Sequence, residues 1–294
     1  MPEQLKKLFE DHFKEELIDL IPLPAHGSNR EYFRLSNDKR SVIGAKNLDR
    51  LENDAFITFS RHFLAKDLTV PEIYAEDLDQ DIYLQEDLGD VTLFDHLLEE
   101  REGRNEFPER LLKTYKQVVE LLPQFQIKGG QGLDYSKSYP HHSFDRQSMM
   151  WDLNYFKYYF LKLAHIRFNE QKLEQDFQTF TDFLLQADGN HFLYRDFQSR
   201  NIMLKDGKPW FIDYQGGRKG ALQYDIASLL FDAKADLPFE IRELLLDHYL
   251  NAVSELMPID REAFTKHYYA FVFIPLCRPW APMGIEVFMN AKPT

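Results

Sequence analysis

Tyr194-Arg195-Asp196-Phe197-Gln198-Ser199-Arg200-Asn201, then Ile202-Met203-Leu204, then Phe211-Ile212-Asp213 is the stretch that decides how this chain is read. An aspartate is followed five residues later by an asparagine and twelve after that by a second aspartate. Phosphoryl transfer asks little covalent chemistry of a protein. It needs one carboxylate to take a hydroxyl proton and oxygen ligands to hold Mg2+ against phosphates. Asp196 fits the base, and Asn201 and Asp213 fit the metal ligands. Between them, Lys205-Asp206-Gly207-Lys208 joins two apolar runs, and Asp-Gly in that setting is the strongest short-range hairpin signal. A hairpin there sets Asn201 at the start of one strand and Asp213 at the end of its partner, so the two become neighbours.

Composition narrows the classes. The 294 residues suffice for one large domain or two lobes. A net charge of −13 argues against a nucleic-acid partner, whose phosphates demand basic patches. The single cysteine, Cys277, leaves no internal disulfide and suits a reducing compartment. The first 20 residues mix charged and apolar positions, unlike a signal peptide, and no apolar run approaches a membrane span. The expectation is a soluble cytoplasmic protein acting on a small molecule, with neither nucleic acid nor membrane as partner.

Periodicity predicts a helix over residues 4–20, strands over 23–26, 31–35 and 41–46, a helix over 51–65, and strands over 73–75 and 82–85. Helices follow near 92–101, 108–126, 145–167 and 170–187, and after the hairpin near 224–234, 239–256 and 260–272. Strands first and helices later predict an α+β fold of two lobes, a small β-rich one over residues 1–89 and a larger helical one over 90–294.

In the first lobe, Gly27-Ser28-Asn29 between two strands is a candidate phosphate-covering loop, its backbone N–H groups facing the nucleotide. Lys46 closes a strand where an ammonium reaches phosphates, and Glu52 opens the next helix as its partner. Tyr83 to Leu88 forms the connection between lobes, with Glu86 and Leu88 offering backbone groups to an adenine edge. Loop, lysine, glutamate, hinge, Asp, Asn, Asp is the order of parts in a kinase, whose catalytic loop reads His-Arg-Asp-x-x-x-x-Asn.

Taken together, these motifs resemble the aminoglycoside phosphotransferase and choline kinase group, and within it the bacterial kinases of cell-wall amino sugars. The residues that carry the resemblance are Gly27 to Arg34, Val70-Pro71-Glu72-Ile73, Gln85 to Asp90, Arg195 to Asn201, Ile212 to Gln215, and Tyr224 to Leu230. The resemblance implies a protein-kinase-like fold, ATP and Mg2+ as cofactors, and transfer to the anomeric hydroxyl of N-acetylmuramate or N-acetylglucosamine. It implies Asp196 as base, Asn201 and Asp213 as metal ligands, Lys46 on phosphates with Glu52 orienting it, and Asp225 anchoring the catalytic loop. Asp225 reads equally well as a helix N-cap. Arg200 and Asp152 are substrate candidates. The aromatic run Tyr155, Phe156, Tyr158, Tyr159 and Phe160 reads as core rather than as a sugar platform. Tyr194 departs from the pattern by standing where the group has His.

Two other readings remain beside the sugar kinase: an aminoglycoside or amino-alcohol kinase, and a nucleotide-binding pseudokinase. The retained base and metal ligands argue against the last. A protein kinase is disfavoured by the short segment between Asp213 and Tyr224 and by the lack of an Ala-Pro-Glu-like anchor. Near Pro275 the resemblance stops, and Pro275, Pro279, Pro282 and Trp280 crowd a segment where packed helix is expected. One permitted choice of codons, read in a shifted frame from Leu276, spells a family-like peptide. The expectation is that residues 276–294 replace a native end through a frameshift.

Overall fold

The computed structural model describes residues 2–24, 30–104 and 106–277. The candidate loop Gly27-Ser28-Asn29, and the tail from residue 278 on which the frameshift expectation rests, lie outside the described residues.

The first helix, α1 (Pro2–Phe13), leads into an edge strand β1 (Asp19–Pro22). Strands β2 (Glu31–Ser36) and β3 (Ser41–Lys46), helix α2 (Arg50–Leu64), and strands β4 (Ile73–Asp77) and β5 (Ile82–Glu86) follow. The five strands form one antiparallel sheet in the order β1-β2-β3-β5-β4. The sheet separates two apolar layers by the two-residue alternation of its strands. On one face Phe33, Leu35, Val42, Ile82 and Leu84 pack under Leu5 and Phe9 of α1. On the other, Ala45 and Tyr83 join Phe56, Phe59 and Phe63 of α2, in a cluster that runs on into the second lobe. Helix α1 presses closely on the sheet at Gly44, where a Cβ would meet Leu35 Cδ1 at 2.7 Å and Leu5 Cδ2 at 2.9 Å.

Helix α1 ends sooner than its apolar pattern predicts. Lys14 turns into the left-handed region at φ 55°, and Leu17 N–H is taken by the Glu10 carboxylate at 3.2 Å. The released chain becomes β1, so the first strand lies before residues 23–26, where the sequence suggests it. Pairing with the β2 edge outweighs local helix periodicity here.

The second lobe comprises α3 (Leu93–Arg101), α4 (Glu109–Pro123), α5 (Arg146–Phe156), α6 (Glu170–Leu184), α7 (Gln223–Leu230), α8 (Phe239–Leu256) and α9 (Arg261–Phe271). The helix expected over 145–167 is shorter: a π turn over Lys157–Leu161 unwinds it, and His165 at φ 55° ends it. Tyr155, Tyr158 and Tyr159 are exposed, whereas Phe156 is buried and Phe160 packs half-buried against the same cluster, so the core reading of that run holds for its phenylalanines and is corrected for its tyrosines. Two short pairs complete the lobe, β6 (His191–Leu193) with β9 (Arg218–Gly220) and the hairpin β7 (Ile202–Lys205) with β8 (Lys208–Phe211). The hairpin turns on Asp206 and Gly207, both at positive φ, with Lys205 opposite Lys208. Strands β6 and β9 carry no sequence signal, since three-residue strands show no periodicity.

No helix among the described residues is long and apolar enough to cross a membrane.

Candidate active site

Strand β6 delivers the chain into the loop that carries Asp196, and Asp225 of α7 shapes its entry. The fully buried Asp225 carboxylate accepts from Tyr194 N–H at 2.8 Å, Arg195 N–H at 3.0 Å and Gln126 Nε2 at 3.0 Å. Burial raises Asp225 to about 7, against the pull of these donors. Asp225 therefore lies inside its helix as the loop anchor, and the N-cap alternative is corrected. Arg195 sits at φ 84°, a conformation that non-glycine residues hold only when their surroundings impose it. Its guanidinium forks onto both oxygens of Asp152 at 2.8 Å and donates to Tyr224 Oη at 2.9 Å. Asp152 is thus spent on holding the residue beside the base.

The metal-ligand candidates meet as the hairpin predicts. Asn201 Nδ2 donates to the Asp196 carbonyl at 2.8 Å and to Asp213 Oδ2 at 2.9 Å, which leaves its Oδ1 for a cation. Gln215 Nε2 donates to Asp213 Oδ1 at 2.6 Å. Burial first, and the neighbouring Asp196 charge second, raise Asp213 to about 6, while Gln215 and Arg30 pull it down. An aspartate in the left-handed region, φ 68°, that feels the charge of a second carboxylate is a site that a hard cation would relieve. Tyr194 takes over what the expected histidine does: its hydroxyl donates to the Ile212 carbonyl, just before Asp213. Tyr214 stacks on Phe56 at 5.1 Å, and its hydroxyl meets Ser60 Oγ at 2.6 Å, tying this segment to α2.

The nucleotide-facing cation differs from the expectation. Gly44, two residues before Lys46 on a regularly paired strand, faces α1, so Lys46 leaves the sheet on that side and not toward Asp213. Glu52 is engaged elsewhere, with Arg30 Nη2 at 3.1 Å and Asn47 Nδ2 at 2.6 Å. Arg30 is 5% exposed, donates to Tyr32 Oη at 3.3 Å and lies over the Phe56 ring. The Lys46–Glu52 pairing is corrected to Arg30–Glu52, because strand parity decides which face a side chain takes. At the hinge, Leu88 is buried and Glu86 forms an ion pair with Lys205 of the hairpin. Lys205 also donates to the Asp87 carbonyl at 3.2 Å.

A cavity of about 270 Å³ opens beside Asp196, with Glu52, Tyr139, Trp151, Asp152, Arg195 and Arg218 in its wall. Arg200 is exposed and is not among the residues of that wall. Arg218 carries no signal in the sequence. Arg30 lies within the quoted loop motif, but only its burial beside Glu52 gives it a role.

Residues 19–263 match a family described as the phosphotransferase enzyme family. The chain is 27% identical to an N-acetylmuramate/N-acetylglucosamine kinase of Neisseria meningitidis over 96% of this chain and 82% of the relative. A protein of the same description from Pseudomonas aeruginosa is 24% identical over 75% of this chain and 62% of its own. Among solved structures, choline kinase from Cryptosporidium parvum superposes with a TM-score of 0.63 at 13% identity, covering 93% of this chain and 88% of that one. The aminoglycoside phosphotransferase APH(4)-Ia, in a ternary complex with ADP and hygromycin B, gives 0.56 at 16%, covering 97% and 94%.

Proposed function

The chain belongs to the phosphotransferase enzyme family, and from that premise we propose that it moves the γ-phosphoryl group of ATP onto the anomeric hydroxyl of an amino sugar. The observation that carries this is the contact of Asn201 with both Asp196 and Asp213 beside the cavity. The relatives described as amino-sugar kinases support the substrate class.

Asp196 accepts the proton of the acceptor hydroxyl as it attacks. Arg195, fixed by Asp152, and the two loop N–H groups fixed by Asp225 keep that carboxylate in place. Asp213 and Asn201 would hold Mg2+, which supplies charge neutralisation to the phosphates when bound. Arg30, oriented by Glu52, would take the phosphates in place of Lys46. The hinge backbone at Glu86 and Leu88 would read the adenine edge, and Gly27, Ser28 and Asn29 would cover the phosphates. Use of ATP is what supports a cytoplasmic location.

The assembled base and metal-ligand pair disfavours a pseudokinase. The test is a panel of amino sugars, aminoglycosides and amino alcohols incubated with ATP, with and without Mg2+. Phosphorylation of N-acetylmuramate or N-acetylglucosamine to an acid-labile product is expected, since a glycosyl 1-phosphate hydrolyses in mild acid. An acid-stable product would exclude the anomeric hydroxyl, and turnover of an amino alcohol alone would exclude the sugar.

A further inference from the structure

The wall of the cavity beside Asp196 continues outward along α5. That helix contributes Ser148, Trp151 and Asp152, residues three and four apart on one helix face. The same spacing carries the face on to Tyr155, one turn beyond Trp151, and then to Tyr159 in the π turn. Trp151 is 49% exposed, Tyr155 41% and Tyr159 44%. The Trp151 ring meets the His141 ring at 4.7 Å, and the Tyr155 and Tyr159 rings lie 4.5 Å apart. Tyr158 is engaged elsewhere, with Lys157 and Lys162 over its ring at 4.8 and 4.9 Å. What remains is an aromatic stripe that starts in the cavity wall and runs out from it.

One exposed aromatic is ordinary at a protein surface, whereas a row of them joined to a ligand cavity marks a binding face. A pyranose ring suits it. The C–H edges of the sugar carry partial positive charge and stack on the negative faces of aromatic rings, while its hydroxyls bond the tyrosine hydroxyls. The cavity, about 270 Å³, lies just below the range of about 300–1,000 Å³ for small-molecule pockets. It takes one sugar ring beside Asp196, and a second ring must lie outside, over the stripe.

We infer that Trp151 and Tyr155 form an outer subsite for a second sugar ring, so that a reducing disaccharide is a better acceptor than the single sugar. This deepens the amino-sugar reading above and rests on it. The ring at Asp196 keeps its anomeric hydroxyl free, because that oxygen bonds to the γ-phosphorus as ADP leaves and its proton passes to Asp196. The second ring is therefore joined through another hydroxyl of the first, as in a 1,4-linked disaccharide, and the product is a disaccharide 1-phosphate. Helix rise sets Tyr155 about 6 Å beyond Trp151, close to the width of one pyranose. A protein partner fits the stripe less well. Three half-exposed aromatic side chains offer roughly 200–350 Å², against about 800 Å² per partner in a stable protein interface.

The test compares N-acetylglucosamine with its 1,4-linked disaccharide, N,N′-diacetylchitobiose, as acceptors with ATP and Mg2+, and includes N-acetylmuramate as a further single sugar. In the wild type kcat/KM should be higher for the disaccharide than for N-acetylglucosamine by about 2–10-fold, the range for one aromatic stacking contact. Tyr155→Ala should abolish that preference through the KM of the disaccharide. It should leave N-acetylglucosamine unaffected, since Tyr155 is outside the cavity wall, and exposure of the side chain lets the fold survive. Tyr155→Phe keeps the ring and should keep most of the preference. A wild type without the preference, or a Tyr155→Ala variant that retains it, would overturn the inference and leave the amino-sugar reading standing. Equal losses on both acceptors would overturn it and assign Tyr155 to the fold. A change of oligomeric state in Tyr155→Ala with the preference intact would overturn it and make the stripe a protein interface. A wild type that turns over N-acetylmuramate alone would overturn the inference only, and one inactive on all three sugars would overturn both.

Discussion

The catalytic loop of the helical lobe and the β2–β3 region of the sheet lobe both exist to hold charge, and they do so by different means. In the loop, Asp196, Asn201 and Asp213 stand at fixed separations around a two-residue hairpin. Local geometry alone brings them together. In the sheet lobe, the cation near Asp213 comes from Arg30, outside any strand, and its partner Glu52 from α2. Which basic residue faces the site is decided by the burial of one sheet face under α1. Charge placed by local spacing can be read from the sequence; charge placed by a third packed element cannot.

The largest expected effect breaks the loop side of this contrast. Asp196→Asn should lower kcat about 10²–10⁴-fold, the usual contribution of a general base, with nucleotide affinity retained. Isothermal titration with ATP and Mg2+ beside steady-state kinetics would measure both. Turnover within about threefold of wild type would remove Asp196 from the mechanism.

Next in size is the anchor beneath the loop. Asp225→Ala leaves Tyr194 N–H, Arg195 N–H and Gln126 Nε2 without their acceptor. Each orphaned buried donor costs about 1–3 kcal/mol, so unfolding by denaturant should show a loss of at least that size. Activity should fall with it, because Arg195 is held at positive φ by these same bonds. A variant as stable as wild type would mean that water replaces the carboxylate and that the loop needs no anchor.

How far the sequence was legible follows the same division. The α+β order, the hairpin and helix α8 (Phe239–Leu256) stand where spacing and periodicity put them. Helix α1 does not, because Lys14 turns left-handed and the residues after it join the sheet. The exposed tyrosines of 155–159 read as core because density of aromatics says nothing about which way they face. Asp152 does line the cavity beside Asp196, and both its oxygens accept from Arg195, a pairing across 43 residues that no local pattern encodes. Arg218 carries no local signal for the same reason, since its place is in a cavity wall.

The nucleotide side of the contrast is tested by Arg30. Replacing it with methionine keeps much of the buried stem and removes the fork, leaving Glu52 without its cation. The expected result is a rise in the KM for ATP and a fall in kcat that together amount to about 10–100-fold in kcat/KM, as for other charge-assisted contacts. Arg30→Lys should recover part of the loss, since it keeps the charge without the planar fork. A lysine variant as poor as methionine, with an unchanged melting temperature, would show that shape rather than charge is what the site requires.

The smallest expected effect sharpens the comparison most, because it concerns the residue that sequence order favours. Lys46 stands opposite Glu31 in the β2–β3 register, and its neighbour two residues back, Gly44, faces α1. Side chains at i and i+2 share a face, so the ammonium points away from Asp213 while Arg30 is ion-paired to Glu52. Lys46→Ala removes a charge that the register sets across from Glu31, a placement worth at most about 0.2–1 kcal/mol. The melting temperature should fall slightly, and the KM for ATP should stay within about twofold of wild type, because nothing at the phosphates has changed. Measured beside Arg30→Met under one set of conditions, the two variants form a direct contest between strand order and strand parity. A large rise in the KM for ATP in Lys46→Ala, with Arg30→Met nearly silent, would return the phosphate role to the lysine and require β3 to present its other face to the nucleotide.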